Sequence, residues 1–217
     1  TQGVPDTVSH DRLRGIRIFD ITDIAHPRYL TNVQTCRGSH THTVVTDPND
    51  AANIYIYISG SAPVRSPNEL AGCSGAPLDE DPNSALFRIE VIRVPLATPE
   101  QARIVSSPRI FNDLAAPARH AELRADSIAA AERAVAERRR TGAAAPPPEP
   151  RSGPTQCHDI TVYAAIGLAG GACGGYGVLL DIRDAAHPRR IGAVADSNFS
   201  FWHSATFNND GTKILFT

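Results

Sequence analysis

One turn sequence occurs twice in this chain. Asp20-Ile-Thr-Asp-Ile-Ala-His-Pro-Arg28 returns as Asp181-Ile-Arg-Asp-Ala-Ala-His-Pro-Arg189, with Asp20, Asp23, His26, Pro27 and Arg28 all matched at one constant offset. Carried forward without a gap, the same offset sets His42 on His203. Similarity at a fixed spacing constrains a fold more than any isolated motif, because each copy must be one supersecondary unit that stacks on its neighbours.

The residues around the turn define that unit. An apolar run precedes the aspartate (Gly15-Ile-Arg-Ile-Phe19; Gly177-Val-Leu-Leu180), and a second run follows the His-Pro (from Arg28 to Val33; from Arg189 to Val194). Next comes a run led by a histidine, then a turn rich in Asp, Asn or Gly, then a fourth run. These last two are His42-Thr-Val-Val-Thr46 and Asn53-Ile-Tyr-Ile-Tyr-Ile58 in one copy, and His203-Ser-Ala-Thr-Phe207 and Lys213-Ile-Leu-Phe216 in the other. Short β-rich runs bounded by turn residues read as strands. A divergent copy lies between, with Leu86 to Val94 and Arg103-Ile-Val105 as strands flanking its turn and His158 to Tyr163 as its histidine-led strand.

Repeating groups of four short antiparallel strands predict an all-β fold, a β-propeller. The form Gly15-Ile-Arg-Ile-Phe-Asp-Ile-Thr-Asp-Ile-Ala-His-Pro27 resembles the LVIVD-repeat propellers, a secreted bacterial group, and the architecture is more distantly similar to that of selenium-binding proteins of the methanethiol oxidase type. The resemblance covers the regular parts of residues 1–217 and implies a fold, not an activity. With strands named a to d outward from the axis and a led by the histidine, the chain holds c and d, two whole blades, and a final a and b. That is about three blade equivalents where about four to eight close a ring, so the expectation is part of a larger propeller.

In such a blade the d-to-a and b-to-c connections share one face. Both long inserts fall there: a loop over 60–85, and a segment over 107–156 with a helix at about 119–140 followed by a Pro-rich tether, Ala143-Ala-Ala-Pro-Pro-Pro-Glu-Pro150. Leu123, Ile128, Ala131 and Val135 can form a narrow apolar stripe on that helix, which either docks on a partner or lies solvated across its own rim. The four cysteines lie on the same face. Their parallel placement favours Cys36 with Cys73 and Cys157 with Cys173, each bond pinning a floppy loop; free thiols or a Cys/His metal site are the alternative.

His42, His158 and His203 each open an innermost strand on the insert-bearing face of consecutive blades, where their side chains can meet at a channel mouth. Three imidazoles suit a transition metal such as Zn, Cu or Fe, and His40, two residues before His42, can add a ligand. The competing reading is a repeated polar residue that hydrogen-bonds the next blade. His26 and His187 repeat just as faithfully in a turn at the other face.

Composition narrows the function further. With 21 Lys+Arg against 23 Asp+Glu, the formal net charge of -2 gives no case for nucleic acid. No apolar run is long enough for a transmembrane segment. A start at Thr1 and a count of no Met suggest a processed or incomplete chain, and the even cysteine set suggests a secreted or periplasmic one. No Gly-x-Ser-x-Gly, P-loop or His-Glu-x-x-His occurs. The run from Gly167 to Gly177 lacks dinucleotide-binding spacing and reads as a flexible rim loop, while Asp20 and Asp181 read as turn caps rather than acid/base groups. The resulting expectation is an extracytoplasmic interaction module that binds another protein through its insert-bearing face, with a histidine-bound metal at the mouth. The alternative is a metal-dependent oxidoreductase or hydrolase using His42, His158 and His203.

Overall fold

The computed structural model describes residues 8–117, 121–142, 153–199 and 202–217. They form four antiparallel sheets and one α-helix, and no sheet closes into a barrel. The first sheet pairs β1 (Gly15–Asp20) with β2 (Arg28–Gln34). The second is a four-stranded meander in chain order, β3 (Thr41–Thr46), β4 (Asn53–Ser59), β5 (Glu90–Pro95) and β6 (Arg103–Ser106). A like meander follows, β7 (Cys157–Tyr163), β8 (Leu168–Cys173), β9 (Tyr176–Asp181) and β10 (Arg189–Val194), and then a last pair, β11 (Ala205–Phe207) with β12 (Ile214–Phe216).

The repeated turn has a local cause. Asp20 Oδ1 accepts the Thr22 N–H at 2.9 Å and Asp23 Oδ1 accepts the Ala25 N–H at 3.0 Å; Asp181 and Asp184 do the same for Arg183 (3.1 Å) and Ala186 (3.0 Å). Two successive Asx turns fold the chain back through bonds made within three residues, and in the second copy the turn is further held by the Tyr57 and Ser106 hydroxyls. That is why the motif survives in both copies.

Packing between sheets follows from alternation along β4. Ile56 and Ile58 point toward the first sheet and cluster with Ile16, Val33, Ile92 and Val94, while Tyr55 and Tyr57 point the other way and cluster with Ile160, Val178 and Leu180 of the third sheet. A strand covered on both faces is an uninterrupted apolar and aromatic run, as Ile54 to Ile58 is. Polar bonds then fix the sheets against one another. The buried Tyr57 hydroxyl donates to the Ala185 carbonyl at 2.9 Å, the Thr41 hydroxyl to the His158 carbonyl at 2.6 Å, and the hydroxyls of Thr43, Ser59 and Ser106 to the carbonyls of Ile160, Cys157 and Ala186.

Two expectations are corrected. The glycine run is not a rim loop: Leu168–Cys173 is β8, an inner strand buried from Ala169 onward. Its glycines make room for neighbouring side chains: a Cβ at Gly170 would sit 2.0 Å from the Ile214 Cδ1 of the last sheet and one at Gly171 would sit 2.8 Å from Val178 Cγ2. Residues 86–89, expected to extend β5, instead belong to a turn region in which the Ser84 hydroxyl accepts the Leu86 N–H and the Pro108 carbonyl accepts the Ile89 N–H.

The inserts are also unlike each other. Residues 60–85 are held down rather than floppy: the Arg65 guanidinium binds Glu69 at 2.7 Å, Gln34 Oε1 at 2.6 Å and the Arg12 carbonyl at 3.2 Å, and the Arg65 and Glu69 side chains are almost fully buried. In the second insert Ile110 and Phe111 enter the core. Its helix α1 (Ala121–Thr141) is the opposite, with Ile128 and Val135 of the expected stripe exposed. The side chain of Leu123 and the tether 143–150 lie outside the described residues.

Gly15 supplies a test of this packing. Its φ of 150° disfavours a side chain, and a Cβ there would lie 2.0 Å from the Val33 backbone oxygen. Gly15→Ala is expected to cost about 2–3 kcal/mol, lowering the melting temperature by about 5–10 °C in a chain of this size. Thermal unfolding followed by circular dichroism measures it; an unchanged midpoint would show that the first sheet is not held in this register.

Candidate binding site

The starts of β3 and β7 and the lead-in to β11 lie at one end of the sheets, and they carry the histidines. His40 and His42 flank the first residue of β3, His158 is the second residue of β7, and His203 stands two residues before β11. The alignment of these starts is enforced. His40 N–H donates to the Ser59 carbonyl at 2.8 Å, and the Thr41 bond to the His158 carbonyl joins β3 to β7.

Three of the four imidazoles come together. The His158 ring stacks on His203, with centroids 3.8 Å apart and planes 28° from parallel, and meets His40 at 4.6 Å and 72°. His158 Nδ1 lies 2.9 Å from the His203 carbonyl oxygen, an acceptor only, so Nδ1 is the donor of that bond. His42 Nδ1 faces the Ser39 hydroxyl at 3.3 Å. The expected trio of His42, His158 and His203 with His40 as accessory is therefore rearranged, with His158 at the centre and His40 in ring contact. A metal ion lies near the plane of each imidazole that binds it. Two rings stacked face to face at 3.8 Å do not lie in planes that meet within a metal–nitrogen bond, so the His158–His203 stack does not fit the expected three-histidine ligand set. Among the described residues no group of three or more His, Cys, Asp or Glu side chains is placed to hold a metal ion.

Both disulfides lie at this end, Cys36 to Cys73 and Cys157 to Cys173, and no cysteine is free. The first ties the lead-in of β3 to the 60–85 insert. The second spans directly opposed residues of β7 and β8, so it clamps a paired edge beside His158 rather than a loop.

Buried charge completes the framework, and sequence reasoning did not single it out. Arg37 is nearly buried, and its guanidinium donates to the carbonyls of Ala62 (2.9 Å), Ser61 (3.4 Å) and Thr155 and to Gln156 Oε1 (3.3 Å). One side chain thus gathers the lead-ins of β3 and β7 and the first insert. Desolvation lowers its pKa, against the attraction of Glu90. Glu90, the first residue of β5, accepts the Cys36 N–H at 3.1 Å; burial pushes its carboxyl above the ordinary value, against that bond and the guanidiniums of Arg88 and Arg37. The only warning in the sequence was a charged residue at the head of an apolar strand.

The opposite end carries the repeated turns. Bonds from the Thr22 hydroxyl and N–H and from Arg28 bring the Asp20 carboxyl down to about 2, and the Arg183 side chain, the Arg183 N–H and Arg189 hold Asp181 well below the usual carboxylate range. These are caps, as read from the sequence. Because both folded-state values lie below the unfolded one of 3.8, the stabilisation they supply is complete above it and is lost as pH falls toward about 2. The melting temperature should therefore fall between about pH 4 and 2, and the D20N/D181N double variant should fall less steeply over that window. Parallel curves for the two proteins would dismiss the caps as its cause. A groove of about 950 Å³ also opens at this end, lined by Ile18, Phe19, Tyr29, Ile54, Val94 and Leu96.

No family model, curated protein or solved structure matches the chain. Among the described residues no helix is long and apolar enough to cross a membrane.

Proposed function

We propose that the chain is a run of β-propeller blades of the LVIVD-repeat kind, working outside the cytoplasm as a binding module whose histidine-bearing end is its contact surface. The successive four-stranded meanders support the propeller reading, since β3 and β7 abut as innermost strands of adjacent blades would. Two intramolecular disulfides support an oxidising compartment.

The observation that carries the binding reading is the sorting of features between the two ends. Both disulfides, the 60–85 insert and the histidine cluster gather at one end, which the second insert reaches where the Tyr176 hydroxyl donates to the Ala115 carbonyl; the other end carries the tight Asx-capped turns and the open groove, with the Asn112 carbonyl of the second insert accepting from Arg190. Recognition surfaces are commonly built on loops held by a rigid scaffold, and here Arg37 and the disulfides supply the rigidity. A metal-dependent enzyme has less support, because the stacked rings do not form the ligand set it would need.

A photo-crosslinking amino acid placed at Ser39 or Asn68 tests the proposal against the same probe at Ile24 or Tyr29 in the opposite end. Adducts to one partner from the first pair alone are the expected result. Adducts from the second pair alone would place the contact surface on the groove end and refute this reading.

A further inference from the structure

We infer that His40 and His158 form a two-imidazole site for a divalent transition metal of the Cu²⁺, Ni²⁺ and Zn²⁺ class, with His203 positioning His158 instead of donating to the ion. The inference deepens the proposal above and rests on it only in taking the histidine end as the ligand-bearing one.

Ring geometry separates the contacts of His158 with His40 and with His203. Imidazoles bound at about 2.0–2.1 Å and subtending a right angle at one ion have centroids about 4.5 Å apart, and their planes are free to be steeply inclined. His40 and His158, at 4.6 Å and 72°, meet both conditions. His158 and His203, at 3.8 Å and 28°, meet neither, since planes so nearly parallel intersect about 7 Å from either ring, far past any metal–nitrogen bond.

The second interaction of His158 then has a purpose. A ligating histidine commonly donates its other N–H to a backbone carbonyl, which fixes the ring and raises the basicity of the binding nitrogen. His158 Nδ1 does this to the His203 carbonyl at 2.9 Å, which assigns ion binding to Nε2, and the His203 ring stacks on the face of His158. The two ligands come from β7 and the lead-in of β3, which the Thr41–His158 bond fixes together, so the site is built across two sheets. Two neutral nitrogens with waters completing the sphere favour Cu²⁺ most strongly in the first-row order, and leave Mg²⁺ and Ca²⁺, which take oxygen ligands, unbound.

The test is titration of the disulfide-intact chain with Cu²⁺, read by calorimetry and by electron paramagnetic resonance. One saturable site with two-nitrogen hyperfine structure is expected. Each of His40→Gln and His158→Gln should weaken it at least tenfold, and His203→Ala, which keeps the backbone carbonyl, by less than threefold. Equal losses from His42→Ala or His203→Ala, or a site that survives in H40Q/H158Q, would overturn the pair. Should a variant fail to fold, diethyl pyrocarbonate labelling of the wild-type chain substitutes: Cu²⁺ must protect His40 and His158 and leave His26 and His187 reactive, and protection of the latter two alone would refute the site. A chain that binds no Cu²⁺ while the Ser39 and Asn68 probes still crosslink would refute this inference and leave the binding module standing.

Discussion

Reduction of both disulfides is expected to bring the chain to the edge of unfolding at physiological temperature. Closing loops of 37 and 16 residues removes unfolded-state entropy worth about 4 and 3 kcal/mol respectively. The loops are separate, so the two contributions add to about 7 kcal/mol, against total stabilities of about 5–15 kcal/mol for ordinary domains. Hence C36A/C73A should be destabilised somewhat more than C157A/C173A, and the quadruple variant should be largely unfolded in the absence of denaturant. The smaller loss has its own signature, because Cys157 precedes His158 and is held opposite Cys173 across β7 and β8. Urea unfolding of the three variants measures the effect. A quadruple variant that unfolds with the wild-type midpoint would remove the disulfides from the account of stability.

Arg37→Ala should cost about 3–5 kcal/mol, the range for removing one partner of a buried ionic network. The change strips a hydrogen bond from the carbonyls of Ser61, Ala62 and Thr155 and from Gln156 Oε1, and takes a cation from the neighbourhood of the buried Glu90 carboxyl. Arg37→Lys separates charge from geometry: an ammonium retains the attraction to Glu90 but lacks the planar fork that reaches three chain segments at once. It should recover about half of the loss or less. The corresponding fall in melting temperature for Arg37→Ala is about 10 °C or more. A loss under 1 kcal/mol would mean that the inserts, not this side chain, hold the two lead-ins together.

What could be read without coordinates was local. The turns were legible because Asp20, Asp23, Asp181 and Asp184 act on backbone groups two residues away, and most strands were legible because Ile, Val and Tyr alternate between residues of other character. The pairing of the cysteines followed from their equal placement in two copies. What escaped was set by neighbours distant in sequence. Nothing within Leu168 to Cys173 announces a strand, since its glycines answer to Ile214 and Val178. His40 had no counterpart at the repeat offset, yet its ring, not that of His42, is the one in contact with His158. Nothing local marks Arg37, whose partners at Ser61, Ala62, Thr155 and Gln156 all lie far along the chain.

Those glycines bear on how an array of this kind changes through descent. When a unit is copied, its self-sufficient turn tolerates duplication unchanged, but an inner strand must suit whichever unit becomes its neighbour. Gly170 of β8 and Gly177 of β9 stand where a side chain would meet Ile214 and Phe216 of the last sheet, and strands so thinned carry little of the hydrophobic signature by which kinship is usually recognised. Ancestry in such arrays should accordingly be sought in the Asp-x-x-Asp-x-x-His-Pro-Arg corner, whose carboxylates bind groups within the corner itself, and least of all in the strands that make up the core.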